Sequence, residues 1–214
     1  MILCIDTSTA ESSIAITDGE KIFFEKLEAN HASDEILGKI DQLVKKAGIQ
    51  LSDLKAVFVI KGPGSFTGLR VGIAVANQFA HQLKIPIIGL RTDEWYQYQT
   101  DEEDFIYLQT MNRDQVYMVG FGQFKRDFPQ EIVSISDCHH ELSSVRAVWL
   151  GQVSDEHRKI LSDLAEITDV RSADETWGEI IRHTAIRPPK KYDLIEPFYG
   201  KAPTITKSKK GLSL

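Results

Sequence analysis

Gly62, Gly64 and Gly68 stand close together in the run Lys61-Gly62-Pro63-Gly64-Ser65-Phe66-Thr67-Gly68-Leu69-Arg70-Val71-Gly72. Glycine reaches backbone angles closed to other residues and proline fixes its own φ, so the run suits a tight turn with its N–H groups turned outward. Such a turn has two chemical uses: it can cradle a phosphate or dock a partner. Three better-known glycine motifs do not fit. A Walker loop ends in Gly-Lys-Ser/Thr, and no lysine follows Gly68. The dinucleotide fingerprint has two residues between its second and third glycines, whereas three separate Gly64 from Gly68. A nucleophile elbow sets serine between glycines at alternate positions, but Ser65 directly follows Gly64, which makes it a poor nucleophile.

Asp6-Thr7-Ser8-Thr9 ends the first apolar run and is the other place where a phosphate could be met. With Gly62, Gly64 and Ser65 it forms a candidate nucleotide or phosphate neighbourhood comprising Asp6, Thr7 and Ser8. The glycines that would wrap a phosphate after Asp6 are missing, and Asp, Thr and Ser also form local side-chain turns at strand ends. His31 and Glu35, four apart at a helix entrance, are two potential ligands and do not complete a metal site. His139-His140-Glu141, His157 and His183 lack ligand spacing and are expected at the surface. Cys4 and Cys138 offer neither a disulfide framework nor a metal set, so a reducing compartment is expected. No Ser/His/Asp or Cys/His constellation can be assembled.

Arg70 opens a helix, where its charge gains nothing from the helix dipole. A partner carboxylate, a phosphate or an intramolecular ion pair could explain it, and bidentate contact is what arginine does best. Along the same helix Gly68, Gly72, Ala76 and Ala80 repeat every four residues as a stripe with almost no side chain. Another helix could approach there, or the helix could lie close on its own sheet.

The elements that must position these residues follow from patterning. Ile2 to Ile5, Ser13 to Thr17 and Lys21 to Lys26 read as strands, the last two joined by Asp18-Gly19. Ile36, Leu37, Ile40, Leu43, Val44 and Ala47 recur at helical spacing, with Ser33 as N-cap and Gly48 as terminator. Strand Ala56 to Ile60, the glycine turn, a helix to about Leu83 and strand Ile85 to Leu90 continue a βββαβα order, which is ribonuclease-H-like. The order recurs more compactly: strands Phe105 to Leu108, Val116 to Phe121 and Glu131 to Ile135, a short helix near Ser136, strand Val145 to Leu150 and a helix from Asp155. The expected class is α/β, an actin-like (ASKHA) fold of two ribonuclease-H-like subdomains. The first spans residues 1–100, the second, smaller one 101–200, and a basic tail 201–214. The acidic run Asp101-Glu102-Glu103-Asp104 reads as solvated linker.

A chain of 214 residues with a formal charge of −6 does not grip nucleic acid with its whole surface. Residues 190–214 carry six lysines against Asp193 and Glu196, or +4, which leaves −10 on residues 1–189. Lysine-rich ends are usually solvated, although Thr206-Lys207-Ser208-Lys209-Lys210 could contact phosphate. No long apolar helix and no leader pattern follow Met1, so a cytoplasmic protein without a membrane segment is expected.

The segment Gly62 to Gly72 resembles the Gly-Pro-Gly-Ser-Phe-Thr-Gly-Leu-Arg-Val-Gly signature of the TsaB (YeaZ) family of bacterial tRNA-modification proteins. The resemblance extends to Ile2-Leu3-Cys4-Ile5-Asp6-Thr7-Ser8, Asn30-His31-Ala32-Ser33-Asp34-Glu35 and Ile85-Pro86-Ile87-Ile88-Gly89. It thins beyond residue 100, where Thr110-Met111-Asn112 replaces the usual Asp-Ala-Arg, and Glu196-Pro197-Phe198-Tyr199 is similar to the family's closing Pro-x-Tyr strand.

The resemblance implies an actin-like fold and a non-catalytic subunit that activates TsaD. TsaD transfers threonylcarbamoyl to N6 of the adenosine beside the anticodon in tRNAs reading codons that begin with A. TsaD's metal-binding His-x-x-x-His aligns with Thr92-Asp93-Glu94-Trp95-Tyr96 here, so no metal and no intrinsic cofactor are implied. The first two helices would pair with TsaD, or with a second copy of the chain. That places Leu37, Ile40, Val44, Gly68, Arg70, Gly72, Ala76 and Ala80 at the interface, with the first-helix residues divided between core and partner. TsaE, an ATPase, would join the pair, ATP or ADP could bind at their junction, and tRNA would be reached only through the complex. The rival class is a stand-alone hydrolase of the glycoprotease-like group, and an actin-like small-molecule kinase would need phosphate-binding glycines after Asp6.

Overall fold

In the computed structural model, residues 1–28, 32–184 and 194–200 are described. Asn30, His31 and the basic tail 201–214 lie outside the described residues.

Strands β1 (Ile2–Asp6), β2 (Ser13–Thr17) and β3 (Ile22–Lys26) form an antiparallel meander. Helix α1 (Ala32–Ala47) then leads to β4 (Ala56–Gly62), α2 (Phe66–Leu83) and β5 (Ile87–Arg91). β4 runs parallel to β1 and to β5, completing a five-stranded sheet of order β3-β2-β1-β4-β5. Gly48 closes α1 with φ +67°, and Ile49 N–H returns to the Val44 carbonyl at 3.2 Å, a Schellman-type end. Ser33 is not the N-cap expected of it, because the helix begins one residue earlier and Ser33 lies in its first turn.

The second unit repeats the order with one strand fewer. Helix α3 (Thr92–Gln97) leads to β6 (Ile106–Thr110), β7 (Gln115–Gly120), β8 (Glu131–Ser134), α4 (Ile135–Val145), β9 (Trp149–Gln152) and α5 (Asp155–Ile160). The sheet order is β8-β7-β6-β9, with β9 parallel to β6. Helix α6 (Ala173–His183) follows and packs on β2 and β3 of the first sheet, so the chain returns across the fold. Residues 194–199 are not a strand, although the Pro-x-Tyr likeness suggested one; they lie as irregular chain over β4 and α2.

Strand alternation sorts the side chains into three cores. Leu3, Ile5, Val57 and Val59 pack with α1 and α2 on one side of the first sheet. Ile106, Leu108, Val116 and Met118 pack with α4 on the far side of the second. Between the sheets, Cys4, Phe58 and Ile60 meet Trp95, Tyr96, Tyr107, Tyr117 and Trp177 in a shared aromatic core. Among the described residues no helix is long and apolar enough to cross a membrane.

Candidate functional site

The glycine turn is built against the end of β1. Gly62 has φ +112°, a region that glycine alone enters readily, and the Gly62-Pro63 bond is cis. Ser65 caps α2, its Oγ accepting from Gly68 N–H at 3.2 Å. Ser65 N–H donates to the Ser8 carbonyl at 2.6 Å, and Thr7 Oγ1 donates to the Gly68 carbonyl at 2.7 Å. Asp6 Oδ1 accepts from Ser8 N–H at 2.8 Å and from Ser8 Oγ at 2.6 Å, a local turn of the kind Asp forms at strand ends. The six candidate phosphate neighbours, Asp6, Thr7, Ser8, Gly62, Gly64 and Ser65, are thus brought together, with these polar groups bonded to one another and to Gly68. Asp6 also borders a cleft of about 330 Å³ between the sheets with Glu11, Lys26, Trp95, Tyr96 and Arg171. Burial pushes its carboxyl up from the ordinary value, against the bonds from Ser8.

The small-residue stripe faces inward. A Cβ on Gly68 would strike the Thr7 carbonyl oxygen, and one on Gly72 would strike Thr7 Oγ1. Ala76 and Ala80 are buried in the core beneath α2. Their close approach therefore serves the helix-to-sheet contact, and within this chain Gly72, Ala76 and Ala80 offer no free surface to a partner. Ile40 and Val44 are likewise core residues, whereas Leu37 is 60% exposed.

The outward side of α2 begins with Phe66, 55% exposed. The Arg70 guanidinium lies 3.8 Å from the centre of the Phe66 ring, and its Nε donates to Tyr199 Oη at 3.0 Å. Phe66 and Tyr199 stack at 5.2 Å. Among the described residues no carboxylate pairs with Arg70, so the intramolecular ion pair considered for it is replaced by a cation–π contact and one hydrogen bond. Sequence reasoning missed Tyr199 in this role, because a partner 129 positions away leaves no local pattern.

The segment Thr92-Asp93-Glu94-Trp95-Tyr96 forms α3, the bridge between the sheets. Thr92 Oγ1 donates to the Pro63 carbonyl at 2.5 Å, tying α3 to the glycine turn. Asp93, fully buried, pairs with Arg91 at 2.7 Å and accepts from Tyr117 Oη of the second sheet at 3.2 Å. Desolvation raises the Asp93 carboxyl despite the Arg91 charge, and the Tyr117 hydroxyl is pushed well above its usual range by burial.

His157 corrects the surface expectation: it is buried, its Nε2 donating to the Arg113 carbonyl at 2.8 Å and its Nδ1 accepting from Thr110 Oγ1 at 2.9 Å. Thr110 thereby supports the entrance to α5, since its Oγ1 also accepts from Ser154 N–H. His139 and His183 pair with Asp163 and Glu179. Both cysteines are buried, and burial raises the Cys4 thiol strongly and the Cys138 thiol to about 12, which suppresses thiolate chemistry. Among the described residues no group of three or more His, Cys, Asp or Glu side chains could hold a metal ion.

A family model described as TsaD, tRNA N6-adenosine threonylcarbamoyltransferase, matches residues 25–156, more than half of the chain. The tRNA threonylcarbamoyladenosine biosynthesis protein TsaB of Buchnera aphidicola subsp. Schizaphis graminum is 28% identical over 176 residues, covering 75% of this chain and 80% of that protein. The chain belongs to the TsaD family, on its TsaB/YeaZ branch. TsaB of Escherichia coli is 38% identical over 93 residues, a match covering 42% of this chain and 40% of that protein. The fold is shared with a Pseudomonas aeruginosa crystal structure described as an uncharacterized protein with similarity to peptidase YEAZ. The TM-score is 0.71 at 18% identity, covering 94% of this chain and 99% of that one. The α/β, actin-like architecture of this family is the one seen here.

Proposed function

We propose that the chain is a non-catalytic activating subunit that binds TsaD and supports transfer of threonylcarbamoyl to N6 of the adenosine beside the anticodon, in tRNAs reading codons that begin with A. The observation that carries the reading is the outward side of the first two helices. Leu37 on α1 and Phe66 with Arg70 on α2 stand exposed on elements that share one core. Exposed aromatic and arginine side chains are the usual anchors of protein interfaces, and the terminal N–H groups of Arg70 suit a partner carboxylate. Its relatives' names place those proteins in threonylcarbamoyladenosine biosynthesis.

In this reading TsaE joins the pair, ATP or ADP binds at the junction of the subunits, and the acidic body meets tRNA only through the complex, in the cytoplasm. A second copy of the chain competes for the same helices, so concentration decides between homodimer and heterodimer.

The test is reconstitution of tRNA threonylcarbamoylation with TsaD, TsaE and the adenylate-forming enzyme, with and without this chain, reading modified nucleoside by mass spectrometry. Modification that requires the chain, while the chain alone is inert, is the expected result. Equal modification without it would sink the proposal.

A further inference from the structure

We infer that residues 194–200 form a strap that fixes the pose of Arg70 on the outward side of α2, with Tyr199 as positioning residue and Asn77 as anchor. The link to partner binding rests on the docking role proposed above.

Asn77 grips one residue of the strap with both ends of its amide. Its Nδ2 donates to the Ile195 carbonyl at 2.9 Å, and its Oδ1 accepts from Ile195 N–H at 3.0 Å. This engages both the main-chain donor and the main-chain acceptor of Ile195, as a neighbouring strand would. Three residues on, Phe198 N–H donates to the Lys61 carbonyl at 2.7 Å, beside the glycine turn. Gly62 and Gly89 leave the room: a Cβ on Gly62 would strike the Phe198 carbonyl oxygen, and one on Gly89 would come within 3.0 Å of Ile195 Cγ2. The strap is thus pinned to α2 at Asn77 and to β4 at Lys61 before it reaches Tyr199.

Tyr199 then holds Arg70 from one side while Phe66 holds it from beneath. An exposed arginine side chain ordinarily loses much rotamer freedom on docking, and ordering it beforehand removes part of that cost from the binding step. The hydroxyl of Tyr199 occupies only Nε–H, and among the described residues no hydrogen-bond partner takes the terminal nitrogens, which suit a carboxylate. Affinity for a partner therefore depends on a tyrosine contacting α2 from the far end of the chain, and on an asparagine whose amide faces the strap.

The experiment uses the full chain and its Tyr199→Phe, Asn77→Ala, Arg70→Ala and Arg70→Ala/Tyr199→Phe variants. Each is titrated against TsaD by calorimetry, and the Arg70 Nε–H resonance is followed by nitrogen-15 NMR in the chains that keep Arg70. Tyr199→Phe and Asn77→Ala are each expected to weaken TsaD binding about fivefold to tenfold, the size of one ordinary hydrogen bond. Both should shift the Arg70 resonance and speed its exchange. The double variant should bind no more weakly than Arg70→Ala, since Tyr199 acts through Arg70. Additive losses, or a Tyr199→Phe chain with unchanged affinity and unchanged resonance, would overturn the inference. If the parent chain does not bind TsaD at all, the proposed docking role fails by itself. The strap is then judged by the resonance, and an Arg70 signal unmoved in both variants refutes it.

Discussion

At the scale of single residues, Thr7 and Gly72 show how the chain uses the absence of side chains. The Thr7 hydroxyl donates into the first turn of α2, and it can do so only because Gly68 and Gly72 let the helix axis fall close to β1. Methyl groups have no room there: the Gly72 Cβ would also meet Ile5 Cγ2 at 3.2 Å, inside a packed core. Gly72→Ala is expected to lower unfolding free energy by about 3 kcal/mol through overpacking. Thr7→Ala should restore part of that loss in the double variant, because it removes the atom struck first. Urea unfolding of the three chains checks this; a Gly72→Ala chain as stable as the parent would mean that α2 does not sit on β1 in this way.

At the scale of elements, α3 is the joint. Its six residues carry a hydroxyl bound to the glycine turn, a buried carboxylate bound to Tyr117, and the indole and phenol that fill the shared core. The buried Asp93 gives this joint a pH dependence of definite sign. Its folded pKa lies above the ordinary 3.8, so the folded chain binds the proton more tightly than the unfolded one. The stability associated with its protonated form is complete below the unfolded pKa and is lost as pH rises through the folded pKa. Asp93→Asn lacks this loss. The melting temperature of the variant minus that of the parent is therefore expected to increase as pH rises from about 4 to about 7. A difference that stays level across that range would show that Asp93 ionises in the fold as it does in the unfolded chain.

At the scale of the whole molecule, the layers run helix, sheet, shared core, sheet, helix. The inner face of the first sheet is covered by α6 and by aromatic residues of α3 and the second unit, not by its own helices α1 and α2. A fragment ending near residue 104 would lose Tyr107 and Tyr117 from the core that Phe58 and Ile60 share, and Trp177, Ile180 and Ile181 of α6, which packs on β2 and β3. The full chain is expected to unfold in a single calorimetric transition, and the 1–104 fragment to show no cooperative transition of its own. Two resolved transitions in the full chain, or a cooperatively melting fragment, would make the halves independent domains.

The sequence by itself determined most of the strands, the main helices and their repeated order, because apolar period, glycine stops and turn residues are local signals; the last strand, expected over Val145 to Leu150, is β9 at Trp149–Gln152, with Val145 ending α4. β1, β2, β4 and α2 lie within a residue or two of where patterning put them, and the eleven-residue signature identified the family. It also carried the local turn at Asp6 as one of two readings. Only the tertiary structure decided which way the Gly68, Gly72, Ala76 and Ala80 stripe faces, since a row of small residues fits a partner helix and an underlying strand equally well. Only the tertiary structure placed His157 in the interior, brought α6 back to the first sheet and set Tyr199 on Arg70. Each of these joins residues far apart in the chain, where no spacing rule reaches and closure of the fold alone selects the neighbour.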